Sequence, residues 1–328
     1  MSRPVEIGLA AVVTAVTGER PRILVVRGGG AEAELPIGAL DPARDRTLEL
    51  ALRTRIGELS GFELGYVEQL YTFGNRYRDP QERRGGARSI AVAYLALVRE
   101  APVEPRRRVA WRGWYEFLPW EDWREGRPSL LDRTIAPALE RWARSASGAP
   151  AVRRRRERVD LGFGLRGAPW DGERVLDRFE LLYEAGLVEE AWRSGGGRGE
   201  TSAEESVSAV EDPGIRLGEP LRLDHRRILA AALGRLRGKL RYRPVVFELL
   251  PRTFTLLELQ RTVEALAGRR LHKQNFRRLV EAGGLVEGTG RHSRASAGRP
   301  AELFRLRREL LRERPAPGVG LPGLRTHG

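Results

Sequence analysis

Residues 254–284 read FTLLELQRTVEALAGRRLHKQNFRRLVEAGG, and this stretch decides the fold of the C-terminal third. Thr255 has Glu258 three residues on. At that spacing a hydroxyl caps a helix and the glutamate reaches back to the cap's own N–H. A helix is predicted to Leu266, closed at Gly268, because glycine takes the left-handed C-terminal position without a Cβ penalty. A turn over 269–271 leads into a second helix over 273–282, stopped by Gly283 and Gly284. On it Phe276, Leu279 and Val280 fall on one inward face at helical spacing. Lys273, Gln274, Asn275, Arg277 and Arg278 are left facing outward.

The flanks complete a unit. Residues 223–240 (LDHRRILAAALGRLRGKL) carry a stripe of Ile228, Leu229, Ala232, Leu236 and Leu240, with Asp224 placed to cap, and residues 244–250 follow as a short apolar segment. Residues 285–287 and 303–306 read as two strands joined by a basic loop, 288–300, that holds Arg291, Arg294 and Arg299. Helix, helix, tight turn, helix and β-hairpin is the order of a winged helix-turn-helix, whose second motif helix enters the major groove of duplex DNA. Lys and Arg can contact guanine or phosphate there, Gln and Asn can pair with adenine, and the wing arginines can reach phosphates or a minor groove.

Charge agrees with that placement. Residues 221–328 contain 24 Lys+Arg against nine Asp+Glu, whereas the rest holds 34 against 35, so the whole excess of the +14 chain sits in the C-terminal third. Such segregation marks a polyanion-binding module attached to an ordinary domain. A basic helix alone is as readily a solvated face, and an Arg-rich composition explains the ratio of Arg to Lys; neither explains the segregation. RNA is the weaker partner because the segment lacks the aromatic-rich sheet on which single strands stack.

The N-terminal part alternates strand and helix signals. Residues 5–16 and 22–27 read as a hairpin across a Thr17–Pro21 turn, and Gly28-Gly29-Gly30 as a loop. Residues 34–40 (ELPIGAL) form a short strand and turn, and 46–60 a helix with Asp45 as cap and Gly61 as terminator. Residues 66–73 and 89–98 are strands around a Gly/Arg-rich loop, 111–117 an aromatic strand, and 132–146 a helix. Residues 145–159 read as a connector, and 173–193 as a helix ending at Gly186 and continuing as a strand. Residues 194–218, rich in Gly, Ser and Glu, read as a flexible linker. The chain is thus α+β.

Several function classes drop out. Zero cysteines remove disulfides and thiolate metal sites, and the four histidines lack ligand spacing. No run of about 18 apolar residues is present, and the N-terminus reads as a first strand rather than a leader, so the expected compartment is the cytoplasm, without membrane attachment.

The ELPIG segment (34–38), the helix to Gly61, LYTFG (70–74) and the SIAVAYLALV strand (89–98) resemble the middle of a Nudix domain. Taken with RLRGKL (235–240), FELLPRTFTLLELQ (247–260), KQNFRRLV (273–280) and GRPAELFRL (298–306), the chain resembles the Nudix-related regulators of NAD metabolism, the NrtR-like and NadQ-like repressors. The likeness covers residues 5–120 and 221–307. It implies a degenerate Nudix-like α/β/α sandwich over 1–145, a family-specific extension and linker over 146–220, a winged helix-turn-helix over 221–312 and a disordered tail over 313–328.

Hydrolysing members of the Nudix family cluster carboxylates on one helix to hold divalent metal against a diphosphate. With the box ending at Gly61, its later carboxylate positions fall on Arg55, Glu58 and Leu59, and counted from Gly38, a spacing about two residues too long for the pattern, the first falls on Arg44, so Glu58 alone survives. Arg55 puts a cation where the metal would sit. No catalytic or metal-ligating residue is therefore assigned. The same face suits a sensor: the resemblance implies a nucleotide effector, NAD, ADP-ribose or ATP. Arg55, Arg76, Arg78 and Arg88 are candidates to grip its phosphates beside Glu58, and Tyr71, Phe73 or Trp111 to stack on adenine. The reading is a repressor of NAD biosynthesis or salvage genes, homodimeric on a palindromic operator. The alternative is a metal-dependent Nudix hydrolase with a basic tail, drawing carboxylates from Glu63, Glu68, Asp79 or Glu82.

Overall fold

The computed structural model describes residues 4–27, 32–193, 217–293, 300–307 and, by backbone alone, 325–326. The Gly28–Gly30 loop, most of the 194–218 linker, Arg294, Arg299 and most of the 313–328 tail lie outside the described residues.

One mixed sheet organises the N-terminal part. Strand β1 (Val5–Thr17) runs parallel to β6 (Arg88–Leu97), from Val5 against Arg88 to Thr14 against Leu97. It pairs antiparallel with β2 (Arg20–Arg27) across the tight turn at Gly18 and Glu19, and with β4 (Ile37–Ala39). On the flanks, β5 (Tyr66–Phe73) joins β6, while β3 (Ala33–Glu34) and β7 (Val109–Gly113) join β2. Both faces of β1 and β6 are covered, which is why their sequences run almost uninterruptedly apolar. Leu9, Ala11, Val13, Val92 and Tyr94 point to α1 (Leu48–Ser60) and meet Ala51, Leu52 and Ile56. Ala10, Val12, Ala93 and Leu95 point the other way, into the larger core.

That second face is closed by α7 (His225–Tyr242), which packs on β1, β5 and β6 and also on α5 (Val175–Glu184) and α8 (Leu256–Ala267). Thirteen of its 18 residues are buried, so it is a central helix shared by the sheet and the C-terminal motif. Its charges are paired inward. Arg237 and Arg178 both grip Glu121, with all three side chains at most 1% exposed. Arg237 also donates to the carbonyls of Leu266 and Gly172. Burial pushes the Glu121 carboxyl up, but the two guanidiniums outweigh it and hold it below the ordinary range. Arg226 pairs with Glu190, Arg227 with Glu180, Arg235 and Lys239 with Glu68, and Arg241 with Glu173.

Several expectations need correction. The α1 cap is Thr47, whose hydroxyl accepts from the Leu50 N–H, because Asp45 is taken by Arg55. Asp224 stands at the cap position of α7 but makes no capping bond; its carboxylate is held by Arg78. The aromatic strand ends at Gly113 and turns into a short helix, α2 (Trp114–Phe117). After α3 (Ala136–Arg144), the expected connector is α4 (Ala149–Phe163). Its arginine run is tolerated because Arg156 pairs with Glu140 and Arg158 with Glu184, while Arg155 lies over the Trp142 ring. The expected strand after Gly186 is a helix, α6 (Glu189–Arg193), tied to Glu32 by Arg193. Residues of the expected extension, Phe163, Trp170, Phe179 and Leu182, share the core with Trp114, Trp120 and Leu139. In the tail, β11 (Arg325–Thr326) pairs with β8 (Trp170–Asp171).

Replacing Glu121 with Gln leaves two buried guanidiniums short of a counter-charge and is expected to cost about 3–5 kcal/mol. A lowered urea midpoint with an unchanged slope checks this.

Candidate functional site

The candidate nucleic-acid interface is built by α8, α9 (Lys273–Gly283) and the hairpin of β9 (Val286–His292) and β10 (Glu302–Leu306). Thr255 and Glu258 cap α8 reciprocally, at 3.2 Å and 2.7 Å, as the spacing predicts. Gly268 closes it in the left-handed region, with φ 68°. A side chain there would also collide with the Glu121 carbonyl, 2.4 Å from an ideal Cβ. The peptide of Gly268 is held against the N-terminal part, for its carbonyl accepts from the Trp123 N–H at 2.7 Å. The Tyr115 hydroxyl donates to Ala265 at 2.6 Å; burial pushes that phenol up to about 12 and keeps it a donor.

On α9 the inward face is Phe276 and Val280, buried, with Leu279 half-buried. Lys273, Gln274, Asn275, Arg277 and Arg278 are all exposed, so the predicted recognition row stands on one free helix face. Arg277 is tied to Glu281 one turn on, at 2.8 Å. Arg291 is exposed on the wing strand; Arg294 and Arg299 lie outside the described residues.

The ligand candidates do not converge. Arg55 and Glu58 lie on α1, on one side of the sheet. Phe73 is buried in the core on the opposite side, and Tyr71 stacks edge-on against it beneath Arg235 of α7. Half-exposed Tyr71 instead borders a cleft of about 420 Å³ with Leu176, Asp177, Gly234, Arg235 and Tyr242. Trp111 stacks on Phe62 at 5.6 Å on the α1 side. A stacking Tyr71 and a clamping Arg55 therefore cannot serve one ligand, because the sheet separates them.

Of the four arginines, Arg55 is forked onto Asp45 at 2.8 and 3.3 Å and crosses the Gly38 backbone. An ideal Cβ on Gly38 would stand 2.3 Å from the Arg55 side chain, so the glycine gives this arginine room to fold back. Arg78 is corrected from a phosphate grip to an internal tie. Its side chain is 1% exposed, forked onto Asp224 at 2.5 and 3.1 Å and bonded to Ser89. Arg76 on the β5–β6 loop and Arg88 at the start of β6 remain exposed, Arg76 over the Tyr77 ring and Arg88 donating to the Gly74 carbonyl. That loop is shaped by buried Glu82, which accepts from the N–H groups of Tyr77 and Ser89.

Sequence reading missed His225. It is fully buried, and its Nδ1 accepts the Leu35 N–H at 3.1 Å, anchoring ELPIG to α7. No spacing signal joins residues 190 positions apart.

Residues 246–306 match the family model of the NrtR DNA-binding winged helix domain. An ADPR-responsive transcriptional repressor, NtrR, of Acinetobacter baylyi is 41% identical over 85 residues, 26% of this chain. The matched stretch is 34% of that repressor, so the chain spans about a third of the length of the curated relative it matches. Over nearly the whole chain the fold is that of Shewanella oneidensis NrtR solved with a 27mer DNA, at TM-score 0.54, 21% identity and coverage of 92% and 93% of the two chains. A MutT/nudix family protein of Enterococcus faecalis matches at TM-score 0.52 and 15% identity, with 93% and 89% covered. The class follows from these shapes: a Nudix-like α/β/α domain joined to a winged helix-turn-helix. The winged helix is of the NrtR DNA-binding type, and the chain resembles the NrtR repressors.

Burial pulls the His225 imidazole down to about 4, so the folded form is neutral. The unfolded chain takes up a proton near pH 6.5 and the folded one only near 4. Stability is therefore fully present above pH 6.5 and falls as pH drops through that window, by up to about 3 kcal/mol. Denaturant melts at pH 7 and pH 4.5 should show a smaller loss in His225→Asn, which keeps an acceptor for Leu35 but does not titrate.

Proposed function

We propose that this chain is a sequence-specific DNA-binding transcriptional repressor of NAD biosynthesis or salvage genes. It acts as a homodimer on a palindromic operator, with ADP-ribose sensed by a Nudix-like domain that does not hydrolyse it. The observation that carries the reading is the free row Lys273, Gln274, Asn275 and Arg278 on α9, within a segment matching the NrtR DNA-binding family. A row of one cation, two amides and another cation offers both phosphate contacts and bidentate base contacts. Arg291 extends it along the wing. Two copies are invoked because one winged helix contacts too little duplex for high specificity. The domain bounds at 145, 220 and 312 are part of this reading, with α7 belonging to both halves by its packing.

ADP-ribose is preferred to NAD and ATP because the Acinetobacter relative is named for its response to it. Exposed Arg76 and Arg88 are the phosphate contacts proposed for it; Arg55 with Glu58 and Tyr71 with Phe73 bound the two alternative faces. The silent chemistry is supported by the donor set. Glu58 is alone among the Nudix-box positions, Arg55 fills the neighbouring one, and among the described residues no group of three His, Cys, Asp or Glu suits a metal ion. The residues present thus do not fit the divalent cation that Nudix hydrolysis employs. Among the described residues no helix is long and apolar enough to cross a membrane, and the cytoplasm is the compartment proposed.

The test is a titration of the full chain against labelled duplex from NAD-gene promoters, with competitor DNA at physiological salt. Selective binding is expected, weakened about 5- to 150-fold by Asn275→Ala if that side chain reads a base, and shifted by ADP-ribose. Sequence-blind binding, or turnover of ADP-ribose with Mg²⁺, would overturn the repressor reading in favour of the hydrolase.

A further inference from the structure

The helix-turn-helix does not stand free of the Nudix-like part: its turn is clasped by carboxylates from it. Glu19, at the tip of the β1–β2 hairpin, accepts Arg270 at 2.7 Å and Arg261 at 3.1 Å. Arg270 sits in the turn between α8 and α9, three residues before Lys273, and Arg261 lies on α8. Glu125, after the Trp120 segment, takes a second edge of the Arg270 guanidinium at 3.1 Å. A third acceptor, Glu264, belongs to α8 itself, at 3.2 Å, and also holds the Leu271 N–H. Glu19 is fixed in place: it adopts φ 64°, and its carbonyl accepts from Arg124, which is forked onto Asp122.

The three acceptors differ in kind. Glu264 is 5% exposed and travels with the motif, so it aims Arg270 whatever the motif is doing. Glu19 and Glu125 belong to the other half, and the cations they hold are half exposed, 48% for Arg270 and 51% for Arg261. Exposed pairs of this sort are weak and exchange readily. The turn beside a recognition helix is also where a duplex backbone runs, because that helix end points into the groove. A carboxylate gripping a guanidinium there occupies the fork that a phosphate would take.

We propose that Arg270 and Arg261 are phosphate-contacting residues of the DNA interface, and that Glu19 and Glu125 stand in for the phosphates when DNA is absent. The inference rests on the DNA-binding reading above. The Nudix-like half thereby competes with DNA for the same two cations. Duplex docking exchanges Glu19 for phosphate on Arg270, and any ligand that moves the β1–β2 tip shifts that exchange.

The experiment measures operator affinity of the full chain against salt for wild type, Glu19→Gln, Arg270→Ala and the double variant, with Asn275→Ala as reference. Glu19→Gln should bind about three- to tenfold more tightly, the scale of one or two exposed ion pairs. Arg270→Ala should bind more weakly, with a log–log salt slope reduced by about one, as for one lost phosphate contact. The double variant should show little of the gain given by Glu19→Gln. If Glu19→Gln binds no more tightly and Arg270→Ala keeps the full slope, the clasp is structural and the inference is overturned, even where Asn275→Ala still abolishes selectivity. A wild type that selects no duplex overturns this inference and the repressor reading together.

Discussion

Glu121 and the two guanidiniums around it are the constraint on which the rest depends. A carboxylate this deeply buried survives ionised only because Arg178 arrives from α5 and Arg237 from α7, and each guanidinium spends its remaining N–H groups on carbonyls. Desolvating three charges is costly, so the triad is a poor source of stability relative to apolar packing. What it supplies is position. It tolerates one arrangement of α5, α7 and the end of α8, since any other leaves a charge unpaired in the core. The winged helix is thereby seated on the Nudix-like half at Gly268 rather than tethered by a free linker.

This changes the meaning of the charge distribution. Residues 222–243 hold eight of the 24 cations of the C-terminal third. Seven of them meet carboxylates at positions 34, 68, 121, 173, 180 and 190, all in the first two-thirds of the chain. Seven of the 24 cations in that third thus serve pairing with the rest of the chain. Other cations of this third stand at the surface, among them the α9 row and Arg291 on the wing, while Arg261 and Arg270 are held by Glu19.

The Nudix-like half closes one of its faces with an internal ion pair. Arg55 does not hang free as a ready phosphate grip. It folds back onto Asp45 over Gly38, closing the space with a self-satisfied pair. Opposite it, the face that carries Tyr71 and Phe73 is roofed by α7. At the loop end of the sheet Arg76 and Arg88 are exposed.

Local chemistry was legible in the residues. The Thr255–Glu258 box, the Gly61 and Gly268 terminators, the apolar strands at 5–17 and 88–97, and the outward row of α9 all follow from interactions within about four residues or from alternation along one strand. Local spacing misleads where a distant partner outcompetes a near one. Asp45 and Asp224 stand at cap positions and Arg78 in a basic loop, but Asp45 is held by Arg55, Asp224 and Arg78 hold each other, and Glu140 and Glu184 draw arginines of 149–163 into a packed helix. Sequence determined the elements and the two halves of this protein, because helices, caps and strands are short-range. Only tertiary structure decided which charges are free to meet a ligand, because a side chain's partner is set by which surfaces pack together, and no local spacing records that.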